Sequence, residues 1–265
     1  MSRLGIFLIL LLLVFGSCRS KFQKSLKNTD PKKKLEQAEY YFNKKDFYRS
    51  QLLFEQLEGA YEATNMAEKI AYYMSECDFG LRNYALAGFR YKSYYETYPT
   101  GLFAEECLYK HAYCNYLESQ DYELDQTDTY KAIETFKIFI NVYPDSKYVS
   151  ECNVLLDQLR TKLSLKAYNS AKLYFNIGDF KSAKVALRNV VHDFPEVAQR
   201  EEIDFLIVKA TYLLAENSMA QIQKQRYDET IEAFYQFSEY YSEISKYMDE
   251  AKSYKIKAEI AIKKL

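Results

Sequence analysis

Residues 171–195 read AKLYFNIGDFKSAKVALRNVVHDFP, the segment that most clearly indicates how the chain folds. Its first half has small and aromatic residues at helical spacing and ends at Gly178, a residue that tolerates the left-handed backbone of a turn. After the turn, small and apolar residues recur from Ala183 to Val190 at spacings of four and three, the period of one helix face. Pro195 then lacks the N–H that a continuing helix needs. The stretch therefore predicts two helices joined by a tight turn and closed by a proline.

The same frame of one small residue, two apolar or aromatic residues and a proline occurs elsewhere in the chain. The complete copies are Ala87, Tyr91, Tyr94, Pro99; Ala132, Phe136, Phe139, Pro144; and Ala183, Leu187, Val190, Pro195. Copies without the proline are Ser50, Phe54, Leu57 and Thr230, Phe234, Phe237. Such repetition indicates stacked helix pairs, because one pair cannot bury its apolar face alone.

Composition favours an all-helical chain. Seven glycines and four prolines among 265 residues are too few for the many turns of a β-sandwich or barrel. The frame resembles the tetratricopeptide repeat, which implies an all-α solenoid of about five helix pairs plus a C-terminal helix over residues 35–265. Its copies start farther apart than the usual repeat of about 34 residues. We therefore expect longer helices and a polar insert from Glu118 to Thr129.

The N-terminus has the pattern of a secretory signal. Residues 1–17 contain one basic residue, Arg3, followed by an apolar run of about ten residues, too short for a membrane helix of about 20. The segment FGSC at residues 15–18 resembles the lipobox of bacterial lipoproteins, which implies cleavage before Cys18 and acylation of its thiol. Two alternatives remain open, an ordinary signal peptide with a coincidental cysteine and a permanent membrane helix.

Residues 18–34 form a basic segment that we expect to be a lipidated tether. Its basic residues are Arg19, Lys21, Lys24, Lys27, Lys32, Lys33 and Lys34, against the acid Asp30. Such a cluster is attracted to anionic head groups near a membrane, or it only keeps a tether solvated. The formal net charge of the whole chain is −1, so a nucleic-acid partner, which requires a basic face, is disfavoured.

The sequence motifs do not predict catalysis, a metal site or a small-molecule substrate. His111 and His192 are far apart and lack a cysteine or carboxylate at zinc-ligand spacing. The sequence has no glycine-rich phosphate loop and no G-x-S-x-G elbow, so we expect no catalytic residue and no cofactor. The cysteines after the lipobox lie among apolar residues, which favours buried free thiols: Cys77, Cys107, Cys114 and Cys152.

A binding function must then come from the surface of the helix pairs. In a tetratricopeptide solenoid the first helix of each pair lines the groove, which predicts the partner-binding residues Glu39, Phe42, Tyr72, Glu76, Tyr109, Tyr113 and Tyr116. Tyrosine offers a large contact area with few rotors and a hydroxyl for peptide backbone. The alternative is that several of these rings only pack between helices. Candidates for docking a second partner lie later in the chain: Arg188, Arg200, Glu201, Tyr227 and residues 246–265.

A lipobox followed by five long helix pairs resembles the BamD family of outer-membrane lipoproteins. The most specific local match runs from YPDSKY at residues 143–148 to the DFP stop at residues 193–195. The resemblance implies a lipid-anchored scaffold on the periplasmic face of the outer membrane. It also implies two partners, unfolded outer-membrane protein segments and the barrel-forming subunit of the β-barrel assembly machinery. The alternative is another envelope lipoprotein that scaffolds cell-wall, secretion or motility complexes.

Overall fold

The computed structural model describes residues 21–241 and 244–265, which are mostly helical. The signal segment 1–17 and the predicted acylation residue Cys18 lie outside the described residues. In chain order the helices are α1 (residues 21–27), α2 (Pro31–Asn43), α3 (Phe47–Glu55), α4 (Glu58–Tyr61), α5 (Asn65–Gly80), α6 (Tyr84–Thr97), α7 (Ala104–Glu118), α8 (Thr127–Val142), α9 (Val149–Asn176), α10 (Phe180–Asp193), α11 (Arg200–Glu216), α12 (Ala220–Tyr240) and α13 (Met248–Ile262).

Consecutive helices form the five expected pairs and a final helix. The pairs are α2 with α3, α5 with α6, α7 with α8, α9 with α10, and α11 with α12, and α13 follows them. The prediction of an all-α chain of tetratricopeptide-like helix pairs is therefore confirmed for the described residues. The sequence did not predict α1 or the four-residue α4, which lies after the first pair, where the proline of the frame is missing.

The repeated frame forms the core of the second helix of each pair. The small residue of every copy is fully buried: Ser50, Ala87, Ala132, Ala183 and Thr230. The larger residues of the frame are buried as well: Phe54, Leu57, Tyr91, Tyr94, Phe136, Phe139, Leu187, Val190, Phe234 and Phe237. Small residues at these positions let the neighbouring helix approach closely, and the larger residues fill the space beside them.

Prolines and one glycine end the helices as expected. Tyr98, Tyr143 and Phe194 follow α6, α8 and α10 with φ from −133° to −126° and ψ from 62° to 69°. Each precedes a proline, whose ring disfavours helical backbone in the residue before it. Gly178 has φ +84° in the turn after α9, a backbone conformation that glycine adopts without strain.

The chain divides into two compact units. Unit 1 comprises the described part of Met1–Gln120 together with Asp125–Leu156, and unit 2 comprises Asp121–Leu124 with Asp157–Leu265. The division falls within α9, whereas the sequence predicted one repeat domain over residues 35–265. Each unit has its own buried clusters, of which the largest in unit 2 joins α9, α10, α11, α12 and α13.

The polar insert lies between α7 and α8, where it was expected. Part of it is fixed by Lys166 of α9, whose Nζ donates hydrogen bonds to the carbonyl oxygens of Tyr122 at 3.0 Å and Leu124 at 2.8 Å. The other source of extra length is α9 itself, which runs for 28 residues. Both features lengthen the repeat without breaking the helix pairing.

The expected tether is folded over much of its length. Residues 21–27 form α1, and α2 begins at Pro31 with Asp30 as its capping residue. Phe22 is 8% exposed and packs against Tyr41 of α2 with ring centroids 5.5 Å apart. The packed part of the chain therefore includes Phe22, well before residue 35, because α1 has an apolar face that its many lysines masked in the sequence.

Candidate protein-binding surface

Two first helices of unit 1 carry most of the predicted groove residues in helical phase. Tyr72 and Glu76 are one turn apart on α5. Tyr109, Tyr113 and Tyr116 follow one another at one-turn spacing on α7. Residues three or four apart lie on the same face of a helix, so each helix presents its own group together.

The two predicted residues of the first pair connect α2 to α5. Glu39 is half-buried, and its Oε1 accepts a hydrogen bond from Lys69 Nζ at 2.8 Å. The ring of Phe42 lies 4.5 Å from that of Tyr73 and 5.8 Å from that of Phe47, measured between centroids. Both side chains therefore contribute to the packing of unit 1 and keep only part of their surface accessible.

Tyr72 lies inside unit 1, with 9% of its surface exposed. Its ring stacks on Phe103 at 3.9 Å, and its hydroxyl donates to Glu106 Oε1 at 3.0 Å. Burial and then the charges of Glu76 and Glu106 raise the pKa of Tyr72 far above its usual range. The hydroxyl therefore remains a hydrogen-bond donor at every physiological pH.

Glu76 belongs to a compact charged group in which two carboxylates share one ammonium. Lys110 Nζ lies 2.5 Å from Glu76 Oε1 and 2.7 Å from Glu106 Oε1. The hydroxyl of Tyr91 also donates to Glu76 Oε1, at 2.5 Å. Burial lowers the pKa of Lys110, but the two carboxylates outweigh it and keep this pKa above its usual value. The group, Glu76, Glu106 and Lys110 with the Tyr72 and Tyr91 hydroxyls, is hereafter the charged cluster.

A row of parallel tyrosine rings lies along α7. The rings of Tyr109 and Tyr148 are 4.2 Å apart with planes at 7°, those of Tyr109 and Tyr113 are 6.0 Å apart at 17°, and those of Tyr113 and Tyr116 are 5.9 Å apart at 16°. Tyr109 is 7% exposed, whereas Tyr113 and Tyr116 are half-buried. The accessible part of this tyrosine row is therefore its end at Tyr113 and Tyr116, and Tyr72 and Tyr109 support it from within.

Three residues of this region were not among the predicted set. Tyr148 extends the tyrosine row, and Lys110 holds the charged cluster together. Glu68 accepts hydrogen bonds from the hydroxyl of Tyr94 at 2.5 Å and from the backbone N–H of Leu102 at 2.8 Å. The sequence contained one signal for Lys110. It is a charged residue at a core-facing helical position, one turn after the carboxylate of Glu106.

The turn before α7 needs glycine because it approaches Glu68 closely. A Cβ on Gly101 would lie 2.5 Å from Glu68 Oε1 and 2.9 Å from the hydroxyl of Tyr94. Those two atoms already form a hydrogen bond with each other. Any larger residue at position 101 would therefore displace the contact that fixes this turn.

Two of the predicted docking residues line a cavity of about 310 Å³ within unit 2. The cavity is bordered by Arg188, Val191, Arg200, Asp204, Ile207, Ala233, Gln236, Phe237, Glu239 and Tyr240. Arg200 Nε lies 2.8 Å from Asp204 Oδ2, which also accepts from the Tyr241 hydroxyl at 3.0 Å. Arg188 is exposed at the rim, so its charge is accessible.

The other predicted docking residues of unit 2 have different surroundings. Tyr227 is buried and packs 6.0 Å from Tyr212, so its ring belongs to the interior of unit 2. Glu201 is half-buried near the start of α11. The final segment contains α13, which packs against α11 and α12.

His111 and the four cysteines are packed in the interior of the helix pairs, whereas His192 is exposed beside Asp193. His111 Nδ1 lies 2.9 Å from the carbonyl oxygen of Gly88, and burial lowers the pKa of His111. The four cysteines after the lipobox are buried and free, as predicted. Burial raises the pKa of Cys77 and of Cys114 to about 12, so both thiols are unreactive at neutral pH.

The described residues offer neither a metal site nor a membrane span. Within residues 21–241 and 244–265, histidine, cysteine, aspartate and glutamate side chains do not gather in groups of three or more that could hold a metal ion. Over the same ranges, the helices lack the combination of length and hydropathy that crossing a membrane requires.

A family model described as an outer membrane lipoprotein, YfiO, matches residues 27–226. The match begins in α1 and ends in α12, so it includes helix pairs of both units. Curated proteins gave no significant match to the chain.

Solved tetratricopeptide structures resemble the chain distantly. The TPR domain of P58(IPK) is 16% identical, with a TM-score of 0.42, and the alignment covers 88% of this chain and 66% of that one. A TPR protein of Thermus thermophilus, TTC0263, is 14% identical, with a TM-score of 0.35, and the alignment covers 86% of this chain and all of that one.

Proposed function

We propose that this chain, which belongs to the YfiO family of outer membrane lipoproteins, is a lipid-anchored scaffold of outer-membrane β-barrel assembly. It holds unfolded outer-membrane protein segments and the barrel-forming subunit, and it catalyses no reaction. The observation that carries the proposal is the family match over residues 27–226, which includes helix pairs from both units. The folded part belongs on the periplasmic face of the outer membrane.

The proposed anchor is Cys18, at the end of the FGSC segment. A thiol directly behind two small residues is the acylation position that the lipobox resemblance implies. We expect Cys18→Ser to abolish the incorporation of radiolabelled palmitate into the protein, whereas Cys152→Ser, at a buried thiol, retains the label. Palmitate incorporation that persists in Cys18→Ser would contradict the anchor.

The proposed site for unfolded clients is the accessible end of the tyrosine row. Tyr113 and Tyr116 present half-buried rings that are held by stacking, so binding costs them little conformational entropy. Their hydroxyls suit peptide backbone, and their ring faces suit the aromatic residues of an extended segment. Tyr72 and Tyr109 act from within by fixing the position of α7 against α5 and Tyr148.

Peptides copied from the last strand of outer-membrane barrels test this site. Because Tyr113 and Tyr116 are the accessible members of the row, their joint substitution by alanine should weaken peptide binding by about tenfold or more. Tyr130→Ala, at an exposed ring on the second helix of the same pair, is the matched control and should leave affinity unchanged. Fluorescence anisotropy measures both affinities, and circular dichroism checks that helicity is retained. Equal affinities for the double variant and the control would exclude the tyrosine row as the client site.

The proposed site for the barrel-forming subunit is the cavity of unit 2. It combines an apolar floor that includes Ile207 and Phe237 with the exposed charge of Arg188 and the exposed ring of Tyr240. Arginine and tyrosine are the residue types that most often dominate protein interfaces. Together they suit an aromatic or acidic side chain of a folded partner.

Affinity purification from detergent-solubilised envelope tests this docking site. The wild-type chain should co-isolate an outer-membrane barrel protein that carries periplasmic repeats, and Arg188→Glu with Tyr240→Ala should reduce its recovery several-fold. Lys181→Glu, at an exposed position on the same helix as Arg188, is the charge-matched control. Co-isolation of peptidoglycan enzymes in place of a barrel protein would favour a scaffold of cell-wall complexes.

A further inference from the structure

Helix α1 is fixed to the first helix pair through one of its faces. Phe22 and Ser25 are buried. Phe22 belongs to an apolar cluster with residues of α2, α3 and α5, and Leu26 is half-buried against that cluster. The guanidinium of Arg49 lies 5.4 Å from the centre of the Phe22 ring, and Tyr41 meets the ring edge to face. The orientation of α1 relative to α2 and α3 is therefore set by packing.

The opposite face of α1 is a row of lysines. Lys21, Lys24 and Lys27 are all exposed, and their spacing of three residues places them within one side of the helix. Lys32 and Lys33, at the start of α2, are also exposed, so they continue the positive charge along the chain. We call the exposed side chains of these five residues the lysine face.

Two acids oppose the five charges of the lysine face: Asp30, and the exposed Glu36 one turn after Lys32 on α2. Among residues 21–34 the acid is Asp30, whose carboxylate caps α2 by accepting from the backbone N–H of Lys32 at 3.0 Å. Lys33 Nζ lies 3.9 Å from Asp30 Oδ2, and both side chains are well exposed, so water screens this pair. The lysine face therefore keeps a strong positive potential.

The position of the lysine face relative to Cys18 is closely limited by chain length. Lys21 is three residues after Cys18, and three residues span at most about 11 Å when fully extended. Attraction between exposed charges extends over about 8 Å at physiological ionic strength. An acyl chain on Cys18 would therefore hold the first lysines within reach of membrane head groups.

We propose that the lysine face of α1 and α2 binds anionic phospholipid head groups and thereby holds the first helix pair against the membrane next to the lipid anchor. The orienting role rests on the proposed acylation of Cys18, whereas the attraction itself does not require it. Since α1 is packed on α2 and α3 through Phe22, binding at the lysines fixes the orientation of the folded first pair as well as its distance from the bilayer.

The test separates head-group binding from acylation. It uses the mature chain with Cys18→Ser, which retains every described residue and cannot be acylated at that position. Sedimentation with phosphatidylcholine vesicles containing about 30 mol% phosphatidylglycerol should remove the protein from solution, and pure phosphatidylcholine vesicles should leave it there. Substitution of Lys21, Lys24 and Lys27 together by glutamine should lower the partition coefficient by at least tenfold, given about 1 kcal/mol per lysine near an anionic surface.

A control triple variant and a competition experiment with inorganic phosphate complete the test. Glutamine at Lys181, Lys263 and Lys264, which are exposed lysines of unit 2, should leave vesicle binding unchanged. Free inorganic phosphate at equal ionic strength should not displace the protein from the vesicles. Equal losses in the two triple variants, equal binding to neutral vesicles, or displacement by phosphate would each overturn the proposal. Failure of palmitate labelling at Cys18 would instead contradict the anchor and the orienting role that rests on it, and would leave the head-group binding standing.

Discussion

The interior around α5, α6 and α7 of unit 1 differs in chemistry from the interior around α10 and α11 of unit 2. Around α5, α6 and α7, unit 1 buries the rings of Tyr72, Tyr91 and Tyr94 and satisfies their hydroxyls with carboxylates. The largest cluster of unit 2 instead contains aliphatic residues on α10 and α11: Leu187, Val190, Ile203, Leu206, Ile207 and Val208. Both units repeat the same frame, so the frame sets where a core side chain lies and leaves its polarity open.

The region around α5, α6 and α7 depends on directional contacts more than the region around α10 and α11. An aliphatic core is stabilised by burial alone, which is roughly proportional to area and tolerates small shifts. A buried hydroxyl costs free energy unless its partner is in place, so Tyr72 and Tyr91 require the charged cluster in one arrangement, and Tyr94 requires Glu68. Unit 1 is therefore suited to hold Tyr113 and Tyr116 in fixed positions at its surface.

The largest expected effect is a cavity in the core of unit 2. Phe237 is 1% exposed, so Phe237→Ala removes a fully buried ring and should lower the free energy of unfolding by about 3–5 kcal/mol. Urea denaturation followed by circular dichroism measures the loss. Phe237→Leu, which keeps most of the buried volume, is the control and should cost clearly less. A loss below about 1 kcal/mol for the alanine variant would contradict a tightly packed core.

The next effect is the loss of the ammonium from the charged cluster. Lys110→Met keeps the aliphatic stem but leaves Glu76 and Glu106 close together without their cation, which should cost about 3 kcal/mol at pH 7. Lys209→Met in unit 2 is the matched control, because its partner Glu250 is half exposed and the pair is worth at most about 1 kcal/mol. Hydrogen exchange should place the main loss of protection in unit 1, and equal losses for the two variants would remove the contrast between the units.

The charged cluster predicts that the stability of unit 1 depends on pH. Burial raises the pKa of Glu106, but the hydrogen bond and charge of Lys110 outweigh it and hold this pKa below its usual 4.5. A depressed carboxyl pKa contributes stability that is present above pH 4.5 and is lost as the pH falls through the folded value. The pKa of Lys110 is raised above 10.5, so its contribution is present below pH 10.5 and is lost as the pH rises through the folded value.

The stability difference between the wild type and Lys110→Met should accordingly be largest from neutral pH to about pH 10 and shrink as the pH falls into the acid range, because a carboxyl that lacks its cation in the variant is protonated more readily. The difference for Phe237→Ala should stay level through the acid side of this range. Urea denaturation at several pH values compares the two. A Lys110→Met difference that does not shrink in acid would show that Glu106 does not depend on Lys110 for its charge.

The fold could be predicted from the sequence because its decisive positions are local. Within residues 171–195, Ala183, Leu187 and Val190 are all buried. Gly178 lies in the turn and Pro195 follows the helix end, as the backbone preferences of glycine and proline require. The division into two units was not predicted, since it falls inside the unbroken helix α9. Helix α1 was missed because its lysines dominate the composition of a segment whose packed face has only two apolar residues, Phe22 and Leu26.

The candidate site was predicted less completely than the fold. Helical spacing places Tyr109 and Tyr113 on one face of α7. It could not show that the ring of Tyr109 is buried whereas the ring of Tyr113 is partly accessible. That distinction depends on Tyr148, which reaches Tyr109 from after the next helix, and on Lys110, whose partners come from two helices. Contacts between segments that are distant in the sequence leave no periodic pattern in a single sequence. They could therefore not be predicted from it.

A smaller effect is expected for one hydroxyl of unit 1. Tyr91→Phe removes the O–H that donates to Glu76, while Lys110 continues to neutralise that carboxylate, so the loss should be about 1–2 kcal/mol. Tyr130→Phe, at an exposed ring of the same unit, is the control and should change stability little. Thermal denaturation measures both variants. A Tyr91→Phe loss as large as that of Lys110→Met would mean that the hydroxyl matters to the cluster as much as the ammonium does.

The smallest effect is expected where unit 2 does use charge. Arg160 donates from Nε and Nη2 to Glu196 Oε1, at 3.0 Å and 2.6 Å, and about half of each side chain is exposed. Water screens such a pair, so Arg160→Gln should lower the free energy of unfolding by less than about 1 kcal/mol. High salt should reduce even this difference, because exposed charges are screened over a shorter distance. A loss near 3 kcal/mol, resistant to salt, would make this bridge as important to unit 2 as Lys110 is to unit 1 and would end the contrast between a polar and an aliphatic interior.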